Sequence, residues 1–284
     1  MKRRALLGSS LAALALVTFG CRHAPAVASG ARRIVSLAPG ITETLFAIGA
    51  GASVIARSDY CDYPPEVTRL PRVGTSLTPS YETITRLAPT LIVGEAGASA
   101  RQRELAALGP TLLLPWLTLD EIVASTRELG RRTDTTAAAD ALATRLKTRL
   151  DVPPPPHGPR VLLVIGNQPG KIDELWFIRD NSLHGAALHA AGAQNAVPEA
   201  VAGLPRLSVE RLLAVDPDAI FVLTEPGRAA DDFIAPFRAL APLRAVARGH
   251  VVVIQVHDAF VHGPRILELI DRLAVEVRKL GATP

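Results

Sequence analysis

One short pattern occurs twice in this chain, 128 residues apart, and it limits the possible folds more than any other feature. The first copy runs Ser80-Tyr81-Glu82 through Ala88-Pro89 and leads into the apolar run Leu91-Ile92-Val93. The second runs Ser208-Val209-Glu210 through Asp216-Pro217 and leads into Ala219-Ile220-Phe221-Val222. Each reads as a two-turn helix followed by a buried strand. Ser caps the helix by accepting from a free backbone N–H, and Glu in the first turn meets the positive end of the helix dipole. The residue before Pro is pushed out of helical geometry, so each helix ends there. A unit repeated at this distance predicts two similar lobes, with room for a ligand between them.

The remaining pattern agrees. Short apolar runs alternate with helix-forming stretches on both sides of a strand-poor middle, which predicts an α/β fold. Strands are expected at 33–37, 54–56, 111–114, 160–165 and 251–255. Thr42 is expected to cap a helix that stops at Gly49, and Pro264 to open a closing helix. Helices are expected near 120–131 and 136–150, before Pro153-Pro154-Pro155-Pro156. The segment Leu188-His189-Ala190-Ala191-Gly192 parallels Leu45-Phe46-Ala47-Ile48-Gly49. The expected architecture is two pseudo-symmetric lobes with parallel sheets flanked by helices, joined by a long rigid backbone helix. The N-lobe covers about 33–117, the connecting helices about 118–152 and the C-lobe about 158–284.

Residues 1–20 read as an export signal, with Lys2, Arg3 and Arg4 ahead of an apolar stretch of fifteen residues. That stretch is shorter than the roughly 20 residues a membrane span needs. Two cleavage patterns follow. Gly20-Cys21 resembles a lipobox, making Cys21 the lipidated first mature residue, while Ala26-Val27-Ala28 is a small-x-small site. We adopt the first, with 21–32 as a tether. The three basic residues supply most of the net charge of +4. No basic cluster with interleaved aromatics remains, which argues against nucleic-acid binding. With Cys21 lipidated, Cys61 is left without an internal disulfide partner. No Gly-x-Ser-x-Gly elbow, phosphate loop, dinucleotide fingerprint, Cys-x-x-Cys or His-Glu-x-x-His is present, so neither an enzyme nor a dedicated metal site is expected. An exported hydrolase is the remote alternative.

In order along the chain stand Ile34-Val35-Ser36-Leu37-Ala38-Pro39 with Thr42-Glu43, then Asp59-Tyr60-Cys61-Asp62-Tyr63-Pro64-Pro65-Glu66, Arg72-Val73-Gly74, the two Ser-x-Glu units and Gly263-Pro264-Arg265. This set resembles the substrate-binding proteins of ABC importers for cobalamin, iron–siderophores and haem, the helical-backbone group. The Tyr-containing loop is most similar to cobalamin-binding members. The resemblance implies capture of a corrinoid, with no resident cofactor, by a monomer that serves an ABC permease dimer and its ATPase. It carries the cleft aromatic onto Tyr60, a ligand contact from the other lobe onto Asp258, and the two permease-docking acids onto Glu82 and Glu210. Phe260 stands in the same loop as Asp258. Trp176 and Arg179, in the irregular stretch at the rim of the second lobe, are further ligand candidates. Cobalamin binders place a Trp after the strand that follows the Tyr loop, where this chain has Gly74-Thr75-Ser76-Leu77. A ferric siderophore is therefore the second expectation, less so haem, with Arg57, Arg179, Arg206 and Arg265 as partners for an anionic chelate. His257 and His262 are possible metal ligands. His184 and His189, five apart on a helix, diverge too far to share an ion.

Overall fold

The computed structural model describes residues 32–97, 99–165, 172, 174–201, 203, 205–227, 229–257 and 260–281. The export signal, Cys21 and Asp258 lie outside the described residues. The N-lobe contains β1 (Ile34–Ser36), α1 (Pro39–Ala47), β2 (Val54–Arg57), α2 (Tyr81–Leu87), β3 (Leu91–Glu95), α3 (Ser99–Ala106) and β4 (Thr111–Leu114). Two helices follow, α4 (Leu119–Thr133) and α5 (Thr136–Leu150). The C-lobe begins with β5 (Arg160–Ile165), β6 (Glu174–Phe177), α6 (Leu183–Ala190), β7 (Gln194–Asn195), β8 (Arg206–Ser208) and α7 (Val209–Val215). It ends with β9 (Ala219–Thr224), α8 (Ala230–Ile234), α9 (Arg244–Ala247), β10 (Val251–Gln255) and α10 (Ile266–Gly281).

The N-lobe sheet is parallel throughout, in the order β2-β1-β3-β4. The C-lobe sheet runs β10-β9-β5-β6-β8, with β7 also paired to β5. Its β10, β9, β5 and β7 are parallel, whereas β6 runs against both β5 and β8. The stretch expected to be irregular thus holds a strand, β6, that the sequence reading did not find.

The doubled unit is reproduced down to single dihedral angles. Ser80 and Ser208 cap their helices by accepting from Thr83 N–H and Arg211 N–H. The residues before the prolines, Ala88 and Asp216, leave the helix in the left-handed region at φ 43° and 40°. A second correspondence was not read from the sequence. Arg33, just before β1, donates to the Leu87 carbonyl at 2.7 Å and the Ala88 carbonyl at 3.4 Å. Arg160, which opens β5, donates to the Val215 carbonyl at 2.9 Å and the Asp216 carbonyl at 3.5 Å. Each arginine satisfies carbonyls that a helix end leaves without partners, and places a cation at the negative end of the dipole.

Helix α4 opens with a reciprocal cap. Thr118 accepts from Glu121 N–H, and the Glu121 carboxylate accepts from the Thr118 and Leu117 N–H groups at 2.9 Å each. Those two bonds hold the Glu121 carboxyl below its usual range. The helix packs closely on α5 because Gly130 lies against Ala139; a Cβ at position 130 would overlap the Ala139 methyl. At its other end α1 corrects the expectation. It begins at Pro39, not after Thr42, and Thr42 is an interior residue whose hydroxyl donates to the Ala38 carbonyl at 2.9 Å. Proline at the first helical turn is the signal that was outweighed.

One hydrophobic core passes through all three parts. Ile34, Ile41 and Leu45 of the N-lobe, Leu129, Leu142 and Leu146 of the connector, and Leu163, Phe221 and Leu273 of the C-lobe belong to a single contiguous cluster of buried residues. Smaller clusters line the outer faces of the two sheets. Opening the lobes widely would expose part of the shared core. Each fully buried leucine is worth about 1.5–3 kcal/mol of that cost.

Candidate functional site

In a parallel sheet, ligands bind where the strand order reverses, at the carboxyl ends of the strands. The N-lobe sheet reverses between β1 and β3. A cavity of about 480 Å³ opens there, lined by Leu37, Ala38 and Pro39 after β1 and by Gly94, Glu95 and Ala96 at the end of β3, with Ser76 and Leu77 beside them. Glu95 is solvent-exposed, yet partial loss of hydration among the cavity walls pushes its carboxyl above the usual range. The C-lobe sheet reverses between β5 and β9. Glu225 follows β9 directly and approaches His257, just past β10, at 3.8 Å. Trp176, whose strand register pairs it with Ile165 at the end of β5, lies at this same edge with the Arg206 guanidinium 4.4 Å over its ring.

The lobes meet at a buried joint. Arg265 donates to the Glu43 carboxylate at 2.5 Å and to the His257 carbonyl at 3.1 Å, and its guanidinium lies 4.1 Å over the Tyr63 ring. The ion pair is nearly dry: the Glu43 side chain is 3% exposed and that of Arg265 16%. Trp116, at the end of the N-lobe, donates its indole N–H to the His262 carbonyl at 2.5 Å. Gly40 permits this approach, since a Cβ there would overlap the His262 carbonyl oxygen and lie 2.7 Å from the indole nitrogen. His262 packs edge-on against His184 at 5.1 Å. Burial, followed by the nearby Arg179 charge, pushes its imidazole below its usual range, so it is neutral at pH 7. A cavity of about 430 Å³ adjoins this joint, between Asp62, Tyr63 and Pro65 on one side and His184, His257 and Val261 on the other.

Against this frame, the expected ligand residues divide. Tyr60, 67% exposed, lies in the loop after β2, at the same sheet edge as the N-lobe cavity. Phe260 is 40% exposed in the loop between β10 and α10. Trp176 sits on a strand, not in a rim loop, and Arg179 donates to the Val201 carbonyl at 3.1 Å. Two arginines suggested for an anionic chelate are committed elsewhere. Arg57 is 3% exposed and donates to the Cys61 carbonyl at 2.7 Å, and Arg265 is held in the joint. The two loop histidines gather no ligand set: no cluster of three or more His, Cys, Asp or Glu suited to a metal ion occurs among the described residues. His189 pairs with Asp180 at 2.8 Å while His184 packs on His262, so the two helix histidines do diverge. Cys61 is buried and touches the Ser58 and Thr42 hydroxyls, and burial raises its thiol pKa.

Glu82 and Glu210 occupy the first turns of α2 and α7. α2 leads into β3 and α7 follows β8, which runs parallel to β5 because two antiparallel pairings separate them. A helix preceding or following such strands starts at the carboxyl edge of its sheet, so both acids stand at that edge of their lobes. Glu82 is 89% exposed with Arg86 at 3.5 Å, a contact worth little in water. The Ser208 hydroxyl and the N–H of Glu210 itself lower the Glu210 pKa, keeping it ionised. Glu43, Glu95 and Trp116 escaped the sequence reading as site residues. Glu43 and Arg265 did stand out in it, but only as pieces of two matching segments.

The chain matches the family described as periplasmic binding protein over residues 34–256. It belongs to that family. It is 28% identical over 267 residues to the vitamin B12-binding protein of Pectobacterium atrosepticum, a match covering 89% of this chain and 91% of that one. The periplasmic haem-binding protein from Pseudomonas aeruginosa has a similar structure, with a TM-score of 0.69 at 24% identity, covering 86% of this chain and 91% of its own. The periplasmic vitamin B12 binding protein of Vibrio cholerae gives 0.68 at 24% identity, covering 89% and 98%. At that identity the two structures speak to fold alone. Periplasmic binding proteins of this kind bind a ligand and deliver it to an ABC permease, and they do not catalyse. Among the described residues no helix is long and apolar enough to cross a membrane.

Proposed function

We propose that this periplasmic binding protein captures cobalamin or another corrinoid between its lobes and delivers it to a permease dimer. The observation that carries the reading is the match to a vitamin B12-binding protein over nine-tenths of the chain. The twin switch-point edges support it, since Tyr60 and Leu77 stand at the carboxyl edge of the N-lobe sheet and Phe260 is exposed in the loop after β10. Aromatic and aliphatic surfaces suit a large macrocycle. We assign Asp258, which lies outside the described residues, as the polar contact from the second lobe, and Arg179 as a further candidate. The burial of Arg57 and Arg265 tells against a strongly anionic chelate. The chain is anchored through Cys21 and acts as a monomer.

Docking uses Glu82 and Glu210. A symmetric permease dimer presents one basic patch twice, and two acids in equivalent helix turns at the same edge of their lobes are a matched pair for it. Charges at such a rim set orientation and encounter rate more than affinity. Two measurements test the proposal. Calorimetric titration with cyanocobalamin, haemin and ferric siderophores should give tight binding for the corrinoid; binding no tighter than millimolar overturns the cargo. A Glu82→Ala/Glu210→Ala double variant should bind cargo as the wild type does and fail to stimulate transport by the reconstituted permease. Unaltered transport overturns the docking role.

A further inference from the structure

The N-lobe cavity is apolar apart from two side chains. Leu37, Pro39, Leu77, Leu105 and Leu113 supply most of its wall, while Ser76 and Glu95 are its polar members, and among the described residues no basic one lines it. Glu95 is the last residue of β3, and β3 is one of the two strands that define the reversal in strand order. The carboxylate therefore stands where the fold itself directs a ligand. The other lobe repeats the arrangement: Glu225 comes immediately after β9, the strand that corresponds to β3 in the doubled unit. Each half of the cleft thus carries one acid at the end of its switch-point strand.

An isolated carboxylate in an apolar hollow has a definite preference. It accepts hydrogen bonds from N–H donors, and interactions of ionised acceptors are about twice as strong as neutral ones. A second carboxylate brought to the same hollow meets like charge, and a bound cargo that displaces water from the hollow strengthens that repulsion. We propose that Glu95 is a specificity-determining residue, accepting hydrogen bonds from the peripheral amides of the cargo and rejecting chelates that present carboxylates at that point. The proposal rests on the corrinoid reading and refines it: the cleft selects a macrocycle whose rim is amidated. The raised pKa of Glu95 fits the same geometry, since the hollow already disfavours one negative charge before a second arrives.

The test uses two corrinoids that differ by one group, cyanocobalamin and a cobalamin monocarboxylic acid in which one peripheral amide is hydrolysed. Calorimetric titration of wild type should favour the amide form by at least tenfold for the isomer whose altered group reaches Glu95. Glu95→Gln keeps the shape and removes the charge, and should narrow that ratio to about threefold or less. Because the side chain is solvent-exposed, the variant should melt at the wild-type temperature, which separates recognition from folding. A ratio in Glu95→Gln unchanged from wild type for every isomer overturns the inference while leaving the corrinoid reading intact. Failure of wild type to bind either corrinoid overturns the corrinoid reading and the inference with it.

Discussion

The joint between Glu43 and Arg265 permits a quantitative test. Replacing Glu43 by Gln leaves the guanidinium largely buried without its counter-charge, and replacing Arg265 by Met strands a carboxylate that is 3% exposed. Breaking a buried pair from one side costs about 3–5 kcal/mol. Arg265 retains 16% exposure, which places Glu43→Gln near the lower figure. Arg265→Met loses in addition the bond to the His257 carbonyl and the stack on Tyr63, together about 1–2 kcal/mol. With a urea m-value of about 3 kcal/mol/M, Glu43→Gln should lower the unfolding midpoint by about 1 M and Arg265→Met by about 2 M. The double variant Glu43→Leu/Arg265→Met removes both charges and substitutes apolar volume. Such replacements are often neutral or stabilising, so its midpoint should return to within about 0.5 M of wild type. A double variant as unstable as the two singles added together would show that the residues act independently and refute the reasoning.

Two further outcomes follow from the same region. Gly40→Ala places a methyl group on the His262 carbonyl and beside the Trp116 indole, so it should destabilise by about 1–3 kcal/mol and alter Trp fluorescence, measured by thermal melts and emission spectra. His262 is held neutral by burial, so its folded pKa lies below the ordinary value near 6.5. The unfolded chain then binds the proton first as pH falls. The contribution of His262 to stability is complete above pH 6.5 and is lost progressively below it. Melts from pH 7 to 5 should show a falling Tm that His262→Asn flattens, and an equally steep fall in the variant would refute the assignment.

Much of the frame was legible in the residues. The capped, proline-terminated helices and the apolar runs behind them are local signals, and α2, α7, β3 and β9 appear where those signals put them. The connector was legible because helix formers and the absence of strand runs extend over thirty residues. What escaped depends on partners far apart in sequence. Thr42 resembles a cap until Pro39 starts the helix three residues earlier. Trp176 resembles a rim residue until Arg206 covers its ring and β5 pairs with its strand. Four arginines offered themselves to an anionic ligand, and only tertiary structure shows that Arg57 and Arg265 are spent on carbonyls and a carboxylate inside the protein. Thr42-Glu43 and Gly263-Pro264-Arg265 were visible as separate matching segments. Their physical connection, an ion pair spanning 222 residues, was not.

The continuous core has a consequence for how this chain came to be and how it can be taken apart. The sequence records a doubling, yet Leu129, Leu142 and Leu146 of the connector close the same cluster that Ile34 enters from one lobe and Leu273 from the other. Neither half retains a sealed interior once severed at the proline run of 153–156. A fragment ending there would carry an open apolar wound, and so would its complement. The two copies are inseparable in folding, so mixing the halves should restore what neither half keeps alone.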